Sequence, residues 1–140
     1  IMIISSEGNI LSDFNIYGGN TSLNHMAPGD FDGNGIDEIA FNVGPTDWIT
    51  MREVINNPTQ NYCPSFSVYP SSHPVIINMT VGDFDGNGID KIAFNVAPTD
   101  WITIREVVNN PSQNYCPSFS VYPNSHPEIL NMTSGVFDSE

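Results

Sequence analysis

Gly29-Asp-Phe-Asp-Gly-Asn-Gly-Ile-Asp-Glu-Ile-Ala-Phe-Asn-Val43 returns 53 residues later as Gly82-Asp-Phe-Asp-Gly-Asn-Gly-Ile-Asp-Lys-Ile-Ala-Phe-Asn-Val96. The repetition extends well beyond these stretches: residues 29–81 recur as 82–134 with nine differing positions. A repeat of this length is one supersecondary unit per copy, each unit burying its apolar face against its neighbours. Inside each copy the apolar runs are short and alternating, Pro, Gly and Asn punctuate them, and nothing holds a helical period. The expected fold class is therefore all-β, with tandem four-stranded antiparallel repeats of 53 residues.

Four strands are predicted in the second copy. Residues 75–84 lead into the acidic Asp/Gly stretch and 91–96 leave it. Residues 101–110 alternate, with Trp101, Thr103, Arg105 and Val107 on one face and Ile102, Ile104, Glu106 and Val108 on the other. Residues 118–122 end at Pro123. The first copy reads the same way from Leu23 to Tyr69. With a one-residue gap, Phe14–Tyr17 matches Phe66–Tyr69, and His25-Met26 matches Asn78-Met79. Residues 1–5 then form a preceding strand and 128–137 the first strand of a further unit. The expected organisation is a partial unit at 1–28, full repeats at 29–81 and 82–134, and the start of a degenerate third repeat at 135–140. Both ends fall inside a repeat, so the expectation is a piece of a larger array.

The loop that opens each copy has the layout of a calcium site. Calcium takes six to eight oxygens on a flexible loop. Asp30, Asp32 and Asn34 stand at positions 1, 3 and 5, Gly35 at position 6 permits a sharp turn, and the Ile36 carbonyl can serve position 7. Asp83, Asp85, Asn87, Gly88 and Ile89 repeat the arrangement. Asp, Asn and Gly also favour plain solvated turns, but two copies at identical spacing favour the metal. An EF-hand would need a bidentate Glu at position 12, where Phe41 and Phe94 stand, and helical flanks that are absent. The last ligand stays open. Asp37 and Asp90 hold position 8; position 9 is Glu38 in one loop and Lys91 in the other. Over positions 1 to 9 the first loop carries −4 and the second −2, so weaker calcium binding is expected at the second. The third loop, Val136-Phe-Asp-Ser-Glu140, lacks the first carboxylate.

Composition narrows the partners. Sixteen acidic residues face Arg52, Lys91 and Arg105, for a net charge of −13. Nucleic acid needs a basic stripe that this chain does not have, and anionic membrane surfaces are disfavoured in the same way. No apolar run approaches the roughly 18–20 residues that span a bilayer. Cys63 and Cys116 are too few for a disulfide framework. Equivalent points on neighbouring repeats usually lie beyond the roughly 7 Å limit for bridging, so they are not expected to pair with each other. No nucleophile–base constellation is present, and the chain is not expected to be an enzyme.

The pattern of an apolar strand, Gly-Asp-Phe-Asp-Gly-Asn-Gly-x-Asp-x-Ile-Ala and three more strands resembles the FG-GAP or VCBS repeat, the calcium-loop blade of integrin-alpha-type β-propellers. The resemblance covers residues 29–134 and, partially, the flanks. It implies a β-propeller-like architecture, as a partial propeller or part of a larger array, with calcium bound between the first two strands of each blade. By resemblance the ligands are Asp30, Asp32, Asn34, Ile36 and Glu38 in one blade and Asp83, Asp85, Asn87 and Ile89 in the next. Lys91 departs from the family's carboxylate at position 9, and Asp90 is the substitute considered for it.

The functional expectation is an extracellular or cell-surface module for adhesion or recognition of a protein or glycan ligand, with calcium in a structural role. Self-association into a filament or surface coat is the first alternative, and a carbohydrate-binding propeller lectin the second. Trp48 and Trp101 are the residues a lectin would use as stacking platforms, although packing between blades is the plainer expectation. His73 and His126 read as solvated turn residues. Of the glycosylation sequons, Asn20 lies in a turn suited to an acceptor, whereas Asn78 and Asn131 fall in the strand that a propeller would place innermost.

Overall fold

The computed structural model describes residues 2–13, 22–44, 46–53, 66–67, 72, 74–96, 100–106, 119–120, 125 and 129–135. Cys63, Cys116, His73, His126, Asn20, the Phe14–Tyr17 match and the third loop at 136–140 lie outside these residues. Ten strands and no helix are found among the described residues, so none offers a helix long and apolar enough to cross a membrane. The strands form three small antiparallel sheets.

The first sheet is a hairpin of β1 (Met2–Ile4) and β2 (Ile10–Asp13). Its turn closes through Gly8, whose amide donates to the Ser5 carbonyl at 2.9 Å and whose φ of 85° suits a residue without a Cβ. The second sheet runs in order β3 (Leu23–Gly29), β4 (Glu38–Val43), β5 (Trp48–Arg52), β6 (Phe66–Ser67). The third repeats that order with β7 (Ile76–Gly82), β8 (Lys91–Val96), β9 (Trp101–Arg105) and β10 (Phe119–Ser120). Registers match as well: Ala40 pairs with Met51 in one sheet and Ala93 with Ile104 in the other. Each sheet starts one strand before the repeat unit as cut at Gly29 and Gly82, because the strand entering the loop pairs with the strand leaving it.

β8 covers the predicted residues 91–96. β7 is shorter than the predicted 75–84, because the Asp83 carboxylate turns the chain into the loop and leaves Asp83 and Phe84 without ladder partners. The strand predicted over 128–137 is not present in the described residues 129–135, beside which no described strand pairs. They nevertheless follow the course of β7. His25 Nε2 donates to the Ile76 carbonyl at 3.1 Å, and Asn78 Nδ2 donates to the Ile129 carbonyl at 2.6 Å, both across 51 residues.

Stacking buries the first four-stranded sheet on both faces. Ile39 and Phe41 pack with Ile3 of the hairpin and Val43. On the opposite face Phe31, Ala40, Ile49 and Met51 form one cluster with Ile76, Val81, Ile92 and Phe94 of the next sheet. β4 is buried over five consecutive residues, where a strand at the surface would alternate, and β8 is buried over five as well. The two sheets meet closely at Gly29, where a Cβ would collide with Val81 and Asp90. The outward face of the third sheet is covered less completely: among the described residues, Asn131, Met132 and Thr133 line a cavity there with Phe84, Ile102 and Ile104. Phe84, the counterpart of fully buried Phe31, is 41% exposed, and Ile102 and Ile104 are half-buried where Ile49 and Met51 are fully buried.

The chain's three cationic side chains, Arg52, Lys91 and Arg105, are all buried. The two guanidinium groups lie over the rings of Phe41 and Phe94 at 5.7 and 6.0 Å, a cation–π arrangement favoured by desolvation. The exposed surface consequently carries carboxylates with no Lys or Arg among them.

Candidate metal centre

The first loop wraps its backbone around its own carboxylates. Asp30 Oδ1 accepts from the amides of Gly33 and Asn34 at 2.8 and 3.0 Å, and Oδ2 from the Gly35 amide at 2.8 Å. Asp32 Oδ1 accepts from the Asn34 amide at 3.0 Å, and Asn34 Oδ1 from the Ile36 amide at 2.7 Å. These bonds need the chain to reverse twice. Gly33 and Gly35 supply the reversals with φ of 77° and 83°, in the left-handed region that side chains with a Cβ avoid.

Glu38, the first residue of β4, closes the site from the sheet. Its side chain is fully buried. Oε2 accepts from the Phe31 amide at 3.2 Å, whereas Oε1 is buried with no hydrogen-bond partner. One carboxylate oxygen from each of Asp30, Asp32 and Glu38 lies within 4.8 Å of the others. Oxygens sharing one calcium ion at 2.3–2.6 Å can be at most about 5 Å apart, so this set fits a single ion. Burial is the main cause that raises the Glu38 carboxyl from 4.5 to about 7; the Phe31 amide opposes it, and the charges of Asp32, Asp30 and Glu53 add to it. A buried, unpartnered carboxylate oxygen facing two other carboxylates is costly unless a cation or a proton joins it.

The second loop has the same backbone. Asn87 and Gly88 donate their amides to Asp83 Oδ1 and Oδ2 at 3.1 and 2.8 Å, and Ile89 to Asn87 Oδ1 at 2.9 Å. Gly86 and Gly88 have φ of 72° and 81°. Its interior differs. Lys91 Nζ donates to Asp85 Oδ1 at 2.7 Å, to the Ile89 carbonyl at 2.9 Å and to Asn87 Oδ1 at 3.2 Å, with Asp83 Oδ1 at 4.0 Å. On sequence Lys91 is a lost ligand; in the structure its ammonium group occupies the loop. The missed signal is that the chain's single lysine stands at a metal-ligand position in an otherwise intact acidic loop.

Asp90, considered as a substitute ligand for the second loop, faces the first loop instead. Its Oδ2 accepts from the Asp30 amide at 3.0 Å, and its amide donates to the Asp30 carbonyl at 2.8 Å. Positions 8 and 9 are neighbours in extended chain and point to opposite sides, so Lys91 turns into its own loop and Asp90 turns away from it. Burial is the leading cause that raises the Asp90 carboxyl above its ordinary value, opposed by the Asp30 amide.

Outside the loops, Asp47 and Asp100 are fully buried and accept from the hydroxyls of Ser67 and Ser120 at 2.5 and 2.6 Å, tying β6 and β10 to their sheets. Trp48 and Trp101, expected to pack between blades, are 43% and 44% exposed. Asn78 is buried and donates to Asn95 Oδ1 at 3.0 Å, whereas Asn131 is exposed. Comparison of the chain with protein-family models, with curated proteins and with solved structures found no match.

Proposed function

We propose that this chain is part of an extracellular calcium-binding repeat array of the FG-GAP/VCBS kind, in which calcium is structural and the stacked blade-like sheets present their loops for adhesion or recognition. The observation that carries the calcium reading is Glu38: a fully buried carboxylate with one oxygen unpartnered, within 4.8 Å of Asp30 and Asp32. Calcium would be held by these three carboxylates, with Asn34 and the Ile36 carbonyl completing an oxygen shell. It would neutralise their mutual repulsion and tie the β3–β4 connection together. The strand order and the loop between the first two strands of each sheet support the blade reading, as does the face-to-face stacking. The extracellular assignment rests on the FG-GAP/VCBS resemblance, and calcium loops of extracellular modules have a Kd of about 10⁻⁴–10⁻³ M.

Thermal melts with calcium and with a chelator test the structural role. Calcium at about 100 times its Kd should stabilise the fold by about 2.7 kcal/mol. An unchanged melting temperature with no calorimetric binding would reduce the loops to turns.

The partly exposed apolar face of the third sheet favours a second reading, self-association of copies into a filament or coat. Phe84 is 41% exposed where Phe31 is buried, so a further like unit would bury the same apolar set again. Negative-stain imaging separates long filaments from closed discs. The exposed tryptophans leave the glycan-ligand variant in play. Loss of glycan-array binding in a Trp48→Ala/Trp101→Ala double variant would support it.

A further inference from the structure

We infer that the ammonium group of Lys91 is the resident cation of the second loop, so that this loop is held closed without metal and, of the two described loops, only the first takes calcium. The inference deepens the calcium reading and rests on it for the first loop.

The geometry begins with what the ammonium touches. Nζ is bonded to the position 3 carboxylate, the position 5 amide oxygen and the position 7 carbonyl, and stands 4.0 Å from the position 1 carboxylate. These are the oxygens that the loop layout assigns to calcium. An ammonium group has three N–H donors and no acceptor, and all three donors are matched at 2.7–3.2 Å. The side chain is fully buried, where a charge is tolerated only when paired and hydrogen-bonded. An ion bound to the same oxygens would lie 2.3–2.6 Å from each, in the space that Nζ fills. For it to enter, the lysine would have to leave a complete set of partners and carry its charge elsewhere.

The first loop shows what the lysine replaces. The backbone bonds from positions 5 and 6 to the position 1 carboxylate are alike in the two loops, 3.0 and 2.8 Å against 3.1 and 2.8 Å. The shared fold of the loop therefore does not depend on which residue holds position 9. With Glu38 there, three carboxylates converge and one buried oxygen has no partner. With Lys91 there, two carboxylates converge on a cation tethered to the strand that leaves the loop. The tether also removes the concentration dependence: a covalent cation cannot be lost to a chelator.

The test is calcium titration by calorimetry on the wild-type chain, Lys91→Glu and Glu38→Gln, with amide hydrogen exchange on the wild type. One ion in the wild type, two in Lys91→Glu and none in Glu38→Gln are expected. Two ions in the wild type, or one that persists in Glu38→Gln, would overturn the inference while leaving calcium binding intact. No ion in the wild type would overturn the calcium reading and the one-ion count together; one ion regained in Lys91→Glu would still support the lysine as the cation of its loop. Hydrogen exchange needs no variant that folds. At calcium about ten times its Kd, the amides of Gly33, Asn34 and Gly35 should gain roughly tenfold protection and those of Asn87, Gly88 and Ile89 almost none. Equal gains in both loops would overturn the inference.

Discussion

In the first loop a fully buried Glu38 stands where, 53 residues later, the second loop holds a fully buried Lys91. Around them the two loops have the same Asp, Asn and Gly residues, the same positive-φ glycines and nearly the same amide-to-carboxylate distances. One substitution out of nine thus turns a site of three converging carboxylates into one in which an ammonium group sits among the loop oxygens. Loop shape and loop charge are separable here. The shape comes from short-range bonds between backbone amides and Asp or Asn side chains, and the charge from a single strand residue projecting into the loop.

Burial differs between the copies as sharply as charge does, and breaking it has the largest expected effect. Phe31 and Phe84 occupy equivalent positions, fully buried and 41% exposed. Phe31→Ala should destabilise the fold by about 3–5 kcal/mol, as a core phenylalanine does, and Phe84→Ala by about 1 kcal/mol. Urea denaturation of both variants measures the gap. Equal losses would show that the outward face of the third sheet is covered as fully in solution.

The next effect sharpens the charge comparison. Without metal, Glu38 titrates at about 7 in the folded chain against 4.5 for an ordinary glutamate. Between those values the folded chain keeps a proton that the unfolded chain has released. Stability from this group is therefore complete below about pH 4.5 and is lost as pH rises through 7, by on the order of 3 kcal/mol. The raised Asp90 carboxyl acts in the same direction. Denaturation in chelator from pH 4.5 to 8 should show the decline, and Glu38→Gln should flatten most of it. With calcium the sign reverses: the ion needs the ionised carboxylate, so binding releases a proton and tightens as pH rises. Chelator-treated stability that climbs over this range would exclude the burial of Glu38 described above.

The smallest effect concerns the link between the loops. Asp90 accepts from the Asp30 amide, whereas its counterpart Asp37 is exposed. Asp90→Ala should cost about 1 kcal/mol and weaken calcium binding at the first loop, where it orients the backbone. Asp37→Ala should stay within about 0.5 kcal/mol. Calorimetry and melts on the pair decide whether the neighbouring repeat supports the first site.

The strand order, the two loops and the glycine positions were legible in the sequence because each depends on residues within a few positions of one another. Alternation marks a strand, and an Asp with an amide four or five residues on marks a turn. The same local logic located Glu38 and Lys91 at position 9 but could not say which way they pointed or how deeply they lay. Those properties were decided by stacking, which brings residues 50 to 60 apart into contact. The third sheet packs onto Phe31, and the Asp90 carboxylate reaches the first loop across 60 residues. Two nearly identical sequences therefore acquired different interiors, because burial and charge pairing belong to the neighbours a residue meets in space and a repeat motif records only its neighbours along the chain.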